Sequence, residues 1–284
     1  MSSRPRLNLD WLGVVPFLLF AIAFLLIPGL NIVLNSFRNT DGTFTLENIY
    51  KLFQPAIFDS FSVTLRISLT SAVVGGILGF LLAYALVLGG APTWLRSLFM
   101  TFSGVASNFA GVPLAFAFLS TLGRLGMVTV LLKSIGLDLY ANGFNLYSFW
   151  GLVLTYTYFQ LPLALLVLAP PLEGLKKQWR EAAESLGASN AQYWLNIALP
   201  ILLPAILSIF ILLFGNAFGA YATAYALTGG QIALVPLVIA RQISGDVLND
   251  QGFGSALAFG MIVVMAISIT LYSWLQNRTA RWLK

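Results

Sequence analysis

Asn108, Gln160 and Asn216 fall inside runs of the chain that are otherwise almost wholly apolar. An amide in such surroundings needs hydrogen-bond partners, so each is expected to face another helix or a wet cavity rather than lipid. Tyr156, Tyr158, Tyr221 and Tyr225 lie near the same segments and carry an aromatic face together with a hydroxyl. The chemistry these types can do is transfer without bond-making, as the lining of a polar path. Asn108, Tyr156, Tyr158, Gln160, Asn216 and Tyr221 are the candidates. The plainer alternative is glue between helices, or for the tyrosines an interfacial aromatic belt.

Bond-making chemistry finds little support. The sequence has no histidine and no cysteine, which removes imidazole and thiolate metal sites, cysteine nucleophiles and histidine bases together. It contains no G-x-x-x-x-G-K-[ST] and no G-x-G-x-x-G after a strand, so no nucleotide-binding motif is visible. The expectation is a non-catalytic chain without a cofactor or metal of its own. None of the ten acids falls within an apolar run, which disfavours a proton-driven carrier, because such carriers use intramembrane carboxylates as relays. Arg66 lies about one turn inside the second run. It either snorkels to the interface along its aliphatic stem or takes part in gating or substrate contact.

The elements that must hold these residues are membrane spans. Mean hydropathy is +0.86 and charged residues make up 9% of the chain, whereas soluble domains carry about 25%. Six runs are long enough to cross a bilayer, at approximately 11–36, 61–89, 97–121, 146–170, 199–226 and 255–276. The third is diluted by Ser103, Gly104, Ser107, Asn108 and Gly111, and 232–240 is apolar but too short, so it reads as re-entrant or interfacial. The first run is too long for a signal-peptide core and reads as a retained anchor. Gly75, Gly76, Gly79 and Ala83 give the second span a small-residue face for close helix packing.

Lys and Arg in the loops set the orientation. With the N-terminus inside, the inner segments hold nine of them: Arg4, Arg6, Arg96, Lys176, Lys177, Arg180, Arg278, Arg281 and Lys284. The outer loops hold five, Arg38, Lys51, Arg124, Lys133 and Arg241, along with the acids Asp41, Glu47, Asp59, Asp138, Asp246 and Asp250. Both termini and the segment 171–200 are then cytoplasmic. The fold class is an all-α integral membrane protein of six transmembrane helices, forming one domain over 1–284.

Segment 171–200 joins the fourth span to the fifth and is charged and helix-forming. Pro170 and Pro171 are expected to end the fourth span and open a helix. Leu172, Leu175, Trp179, Ala182, Ala183 and Leu186 recur at helical spacing, with Glu173, Lys176, Lys177, Arg180, Glu181 and Glu184 on the opposite face. Gly187 can take the left-handed conformation that stops a helix. Ser189 and Gln192 have the spacing of a capping box for a second short helix, which Pro200 is expected to break. The result is a helix–glycine–helix elbow, either resting on the lipid surface or docking a cytoplasmic partner.

The elbow also carries a pattern: E-A-A, three residues, G, nine residues, I-x-L-P, supplied by Glu181, Ala182, Ala183, Gly187, Ile197, Leu199 and Pro200. This resembles the EAA loop of permease subunits of bacterial ATP-binding-cassette importers. LAYAL at 82–86 and TGGQIALVPLVIARQI at 228–243 are similar to the polyamine, ferric-iron, thiamine and phosphonate subgroup. The resemblance implies a type I importer permease in a bacterial inner membrane, paired with a second permease that is a different chain. It implies two ATPase subunits that hold ATP and magnesium and receive the elbow, and a periplasmic or surface-anchored solute-binding protein. Glu181 would be a polar contact to the ATPase, Gly187 the turn, and Ala182 and Ala183 the close-packed surface. A small solute such as a polyamine fits the subgroup, with tyrosine faces available for cation–π contact. For an anionic solute Arg66 is the candidate. The rival readings are a carrier or channel that needs no ATP, and a membrane scaffold without a path.

Overall fold

The computed structural model describes residues 13–39, 41–244 and 250–280. Arg4, Arg6, Arg281, Lys284 and Asp246, which the sequence places in inner or outer segments, lie outside them. In chain order the helices are α1 (Val15–Ser36), α2 (Glu47–Lys51), α3 (Pro55–Val87), α4 (Thr93–Ala106), α5 (Gly111–Leu122) and α6 (Met127–Ser134). They continue with α7 (Phe149–Glu173), α8 (Lys177–Ser185), α9 (Asn190–Phe218), α10 (Ala222–Thr228), α11 (Val235–Ser244) and α12 (Gln251–Ala280). Among the described residues there is no strand, only an isolated bridge between Arg38 and Phe44. Among the described residues six stretches are long and apolar enough to cross a membrane.

Several boundaries differ from the sequence reading. The third span is not one helix over 97–121: α4 stops at Ala106, and α5 starts at Gly111. The diluting Ser, Asn and Gly residues interrupt the helix instead of merely weakening it. The fifth span ends at Phe218, and residues 222–226 belong to the separate α10. Segment 232–240 falls largely in the ten-residue α11.

Proline shapes two of the spans through π-turns. Leu199 N–H reaches Trp194 O, and Ile27 N–H reaches Ile22 O, each one residue further back than in an α-helix. Each widened turn is followed directly by a proline, Pro200 and Pro28. A proline ring clashes with the carbonyl four residues earlier and supplies no N–H, so an expanded turn relieves the clash while the helix continues.

The chain divides into two compact units, residues 1–58 with 238–263, and residues 59–237 with 264–284. In the first, Phe37 stacks on Phe44 and meets Phe259 edge-on, with ring centroids 6.1 and 5.6 Å apart. Asn48 is buried and donates to Arg38 O at 3.0 Å. Gly252 admits that contact, because a Cβ there would sit 2.7 Å from Asn48 Nδ2. Lys51 bridges Asp250 at 3.0 Å and Glu47 at 3.3 Å. Its hydrogen bond to Asp250 raises the Lys51 pKa. Burial pushes the Asp250 carboxyl upward, but the Phe253 N–H and the Lys51 ammonium outweigh it and hold the carboxyl below its ordinary range. The stability Asp250 contributes is therefore present above the ordinary carboxylate range and is lost as pH falls through its lowered pKa.

The second unit is organised around α7, whose buried residues include Leu152, Tyr156, Phe159, Gln160, Ala164 and Leu168. Leu114, Ala217, Ala224 and Leu234 join it in one apolar core. The glycine face of α3 lies directly against α7. A Cβ on Gly75 would stand 2.8 Å from Gln160 Cβ, and one on Gly79 would stand 2.3 Å from Ala164 Cβ. Close backbone approach of this kind maximises van der Waals contact where no hydrophobic driving force separates helix from lipid. Gly76 differs, since its nearest neighbour would be Leu213 Cδ1 at 3.7 Å, an ordinary contact. Gly79→Ala is expected to lower stability by about 1–3 kcal/mol through overpacking. Gly76→Ala is expected to be neutral or stabilising by up to about 1 kcal/mol. Denaturant unfolding in detergent micelles would rank the two.

Candidate functional site

The elbow joins α7 to α9. Pro170 and Pro171 do not end the span, as the sequence suggested; they sit inside α7, which runs on to Glu173. Leu172 is therefore in the span and Leu175 in the following turn, both buried, so neither belongs to a stripe on the elbow helix. Lys176, with extended backbone, precedes α8. Arg96 in the first turns of α4 forms an ion pair with Glu173. Each charge sits at the end of its own helix that the dipole disfavours, and pairing sets each beside the terminus of the other helix that favours it.

Gly187 adopts φ +79°. Its N–H donates to Glu184 O and the Ala188 N–H donates to Ala183 O, both at 2.9 Å, which is the Schellman arrangement. Ser189 then closes a capping box with Gln192: the Gln192 N–H donates to Ser189 Oγ at 3.3 Å, and the Ser189 N–H to Gln192 Oε1 at 2.7 Å. The helix that this cap opens is not a short one broken at Pro200, because the π-turn carries it through the proline to Phe218. The elbow is thus one helix, a glycine stop and a capped start, joined to α7 by a short turn and continuous with α9.

The docking-loop candidates fall on different faces. Glu181 is exposed and pairs with Lys177 at 3.3 Å, while Arg180 pairs with Glu184 at 2.9 Å. Ala182 is exposed and Ala183 buried. Leu186 is 89% exposed, an apolar side chain presented outward at the end of α8. Ile197 and Pro200 are half-buried and Leu199 is exposed within α9. Between α8 and the ends of α3 and α9 lies a cavity of about 620 Å³.

The path candidates separate into two groups. Tyr156 and Gln160 are buried, and they serve as glue between helices. Tyr156 donates its hydroxyl to Ala220 O at 3.0 Å. Gln160 Nε2 donates to Ser71 Oγ and Leu213 O, both at 3.3 Å, and its Oε1 has no partner. Asn108, Tyr158, Asn216 and Tyr221 are exposed. The break after α4 brings part of this second group together: Phe109 approaches Tyr158 with centroids 6.4 Å apart. The Gly111 N–H donates to Thr223 Oγ1 at 2.8 Å, which ties the break to α10. Tyr221 stacks on Tyr225 at 5.6 Å. Phe109, Thr223 and the break itself were missed in the sequence. The signal was present as Asn108 followed by Gly111 and Pro113, residues that stop one helix and start another.

The family described as binding-protein-dependent transport system inner membrane component matches residues 9–281. The chain belongs to that family. It is a permease component of an ATP-binding-cassette importer and a multi-pass membrane protein. Among its relatives is the spermidine/putrescine transport system permease protein PotB of Haemophilus influenzae, 27% identical over 88% of each chain. The sulfate transport system permease protein CysT of Synechococcus elongatus is 25% identical, covering 96% of this chain and 98% of that one. In fold the chain is similar to a bacterial ABC transporter involved in the import of the acidic polysaccharide alginate, with TM-score 0.72, 19% identity and coverage of 95% and 96%. A structure of a bacterial alginate ABC transporter in complex with an alginate pentasaccharide-bound periplasmic protein matches with TM-score 0.73, at 18% identity and coverage of 95% and 94%.

A permease whose elbow depends on Gly187 should lose that order when the glycine is replaced. Gly187→Ala forces an L-residue into the left-handed region at a cost of about 1–2 kcal/mol, and Ser189→Ala removes a cap worth about 1 kcal/mol. Hydrogen exchange should rise across 177–193 in both variants and stay unchanged in α7.

Proposed function

We propose that this permease forms half of the translocation path of an ATP-driven importer and is coupled to a separate ATPase through the elbow at 174–193. The observation that carries this reading is the construction of the elbow. A nine-residue helix stopped by a Schellman glycine and followed by a capping box leads without a break into a spanning helix. A push on α8 is therefore delivered through the capped turn to α9. The loop charges put this elbow in the cytoplasm, the side where ATP is available. The ATPase subunits carry ATP and magnesium, and a second permease, a different chain, completes the path. A solute-binding protein delivers cargo at the outer face of a bacterial inner membrane. Such a protein is present in the alginate transporter complex of similar fold.

The exposed Asn108, Tyr158, Asn216 and Tyr221 are the groups of this chain that line the path. They are neutral hydrogen-bonding and aromatic side chains, and tyrosine faces attract ammonium groups. The likeness to spermidine/putrescine permeases supports a polyamine as the solute. The likeness to sulfate permeases supports the second reading, an oxyanion, for which Arg66, exposed on α3, supplies positive charge.

Replacing Glu181 and Gly187 together with alanine should abolish ATP-dependent uptake while membrane insertion and protein level stay unchanged. Uptake at the full rate in that double variant would refute coupling through the elbow. Side-by-side assays with labelled spermidine and labelled sulfate in cells depleted of other uptake routes decide the cargo. The polyamine reading expects accumulation of spermidine alone.

A further inference from the structure

The geometry points to the cavity beneath the elbow as a seat for the headgroup of an anionic phospholipid. The cavity lies between α8 and the ends of two spanning helices, α3 and α9, which places it at the level where headgroups meet water. Its volume of about 620 Å³ lies within the range of roughly 300–1,000 Å³ found for small-molecule sites.

The two walls are chemically opposed. One is the charged face of α8, where Lys177, Arg180, Glu181 and Glu184 recur at helical spacing and line the cavity while staying open to solvent. The other is apolar and aromatic, from Tyr84, Val87 and Leu88 at the end of α3 and Trp194 of α9. Tyr84 and Trp194 meet edge-to-face with centroids 5.4 Å apart, and amphipathic rings of these types favour the headgroup layer. The two acids of the charged wall are engaged by Lys177 and Arg180 within α8. Lys176 lies over the Trp179 ring, 5.7 Å from its centroid, with no carboxylate in ion-pair distance among the described residues. The lining thus keeps one excess positive charge beside an aliphatic exit.

A free anion would use only one wall. A lipid uses both, with its phosphate against Lys176 and Arg180 and its acyl chains leaving past Val87 and Leu88. Trp179, Ala182 and Leu186 recur on a separate face of α8, and Leu186 is largely exposed, so that face stays open to a protein partner, while Glu181 stands at the open rim of the cavity, where a partner also reaches it. A seated headgroup would brace the elbow against α3 from beneath. This inference requires the elbow to lie at the membrane surface and does not require that it dock an ATPase.

The test is native mass spectrometry of the full chain released from nanodiscs containing phosphatidylglycerol or phosphatidylcholine. One phosphatidylglycerol should be retained, phosphatidylcholine should not, and Lys176→Gln with Arg180→Gln should weaken retention by about tenfold or more. Lys176→Gln alone, at an exposed position before α8, should give a smaller loss with unchanged thermal unfolding, which separates lipid loss from misfolding. Equal retention of the two lipids, or retention unaffected by the substitutions, overturns the proposal. Displacement of phosphatidylglycerol by millimolar inorganic phosphate would make the cavity a free-anion site and overturn it. Displacement by purified ATPase subunit would assign the cavity to protein docking and overturn it as well.

Discussion

The contact on which the second unit depends is the approach of α3 to α7 at Gly75 and Gly79. There Gln160 and Ala164 occupy the space that two side chains would otherwise fill. Because the backbones come so near, the Gln160 amide reaches Ser71 on one side and Leu213 of α9 on the other. Three spanning helices are thereby joined at one buried point. The two helices that flank the elbow, α7 and α9, are both members of that junction, so the elbow is held at both of its roots. A shift of the elbow must move this packed group as a body, since tightly packed interiors transmit displacement more readily than they absorb it.

Backbone hydrogen bonding imposes the second constraint. Lipid offers no partner to an unpaired amide, so every interruption of a span must be repaired inside the protein. The protein repairs its interruptions in different ways. Pro28 and Pro200 are preceded by π-turns that preserve helix continuity. The gap between α4 and α5 is secured by the side chain of Thr223, which receives the Gly111 N–H. That last interruption leaves Asn108 and Phe109 exposed, with the Phe109 ring against Tyr158.

Much of this was legible in the residues. The spans at 11–36, 61–89 and 146–170 correspond to helices because length and apolar character suffice to define them. The glycine face of α3 announced a close contact, and the Ser189–Gln192 spacing announced a cap, since both signals are local. The features that escaped the sequence reading depended on partners distant in the chain. Leu172 and Leu175 look like an elbow stripe by spacing, but the tolerance of α7 for Pro170 and Pro171 in its last turn moves the helix boundary past them. Tyr156 and Gln160 have the same composition signal as Tyr158 and Asn216. Their burial is decided by Ala220, Ser71 and Leu213, and spacing carries no trace of those contacts.

The sequence contains no cysteine, so a single introduced thiol reports on one place. The most direct measurement is photocrosslinking from Leu186→Cys, at the exposed tip of α8, in the assembled importer, with Leu125→Cys between α5 and α6 as the comparison. An elbow that couples this permease to an ATPase predicts a Leu186→Cys adduct with the ATPase subunit whose yield changes on adding ATP, and no such adduct from Leu125→Cys. Transport at the normal rate with no ATPase adduct from Leu186→Cys, or with equal adducts from both positions, would contradict it.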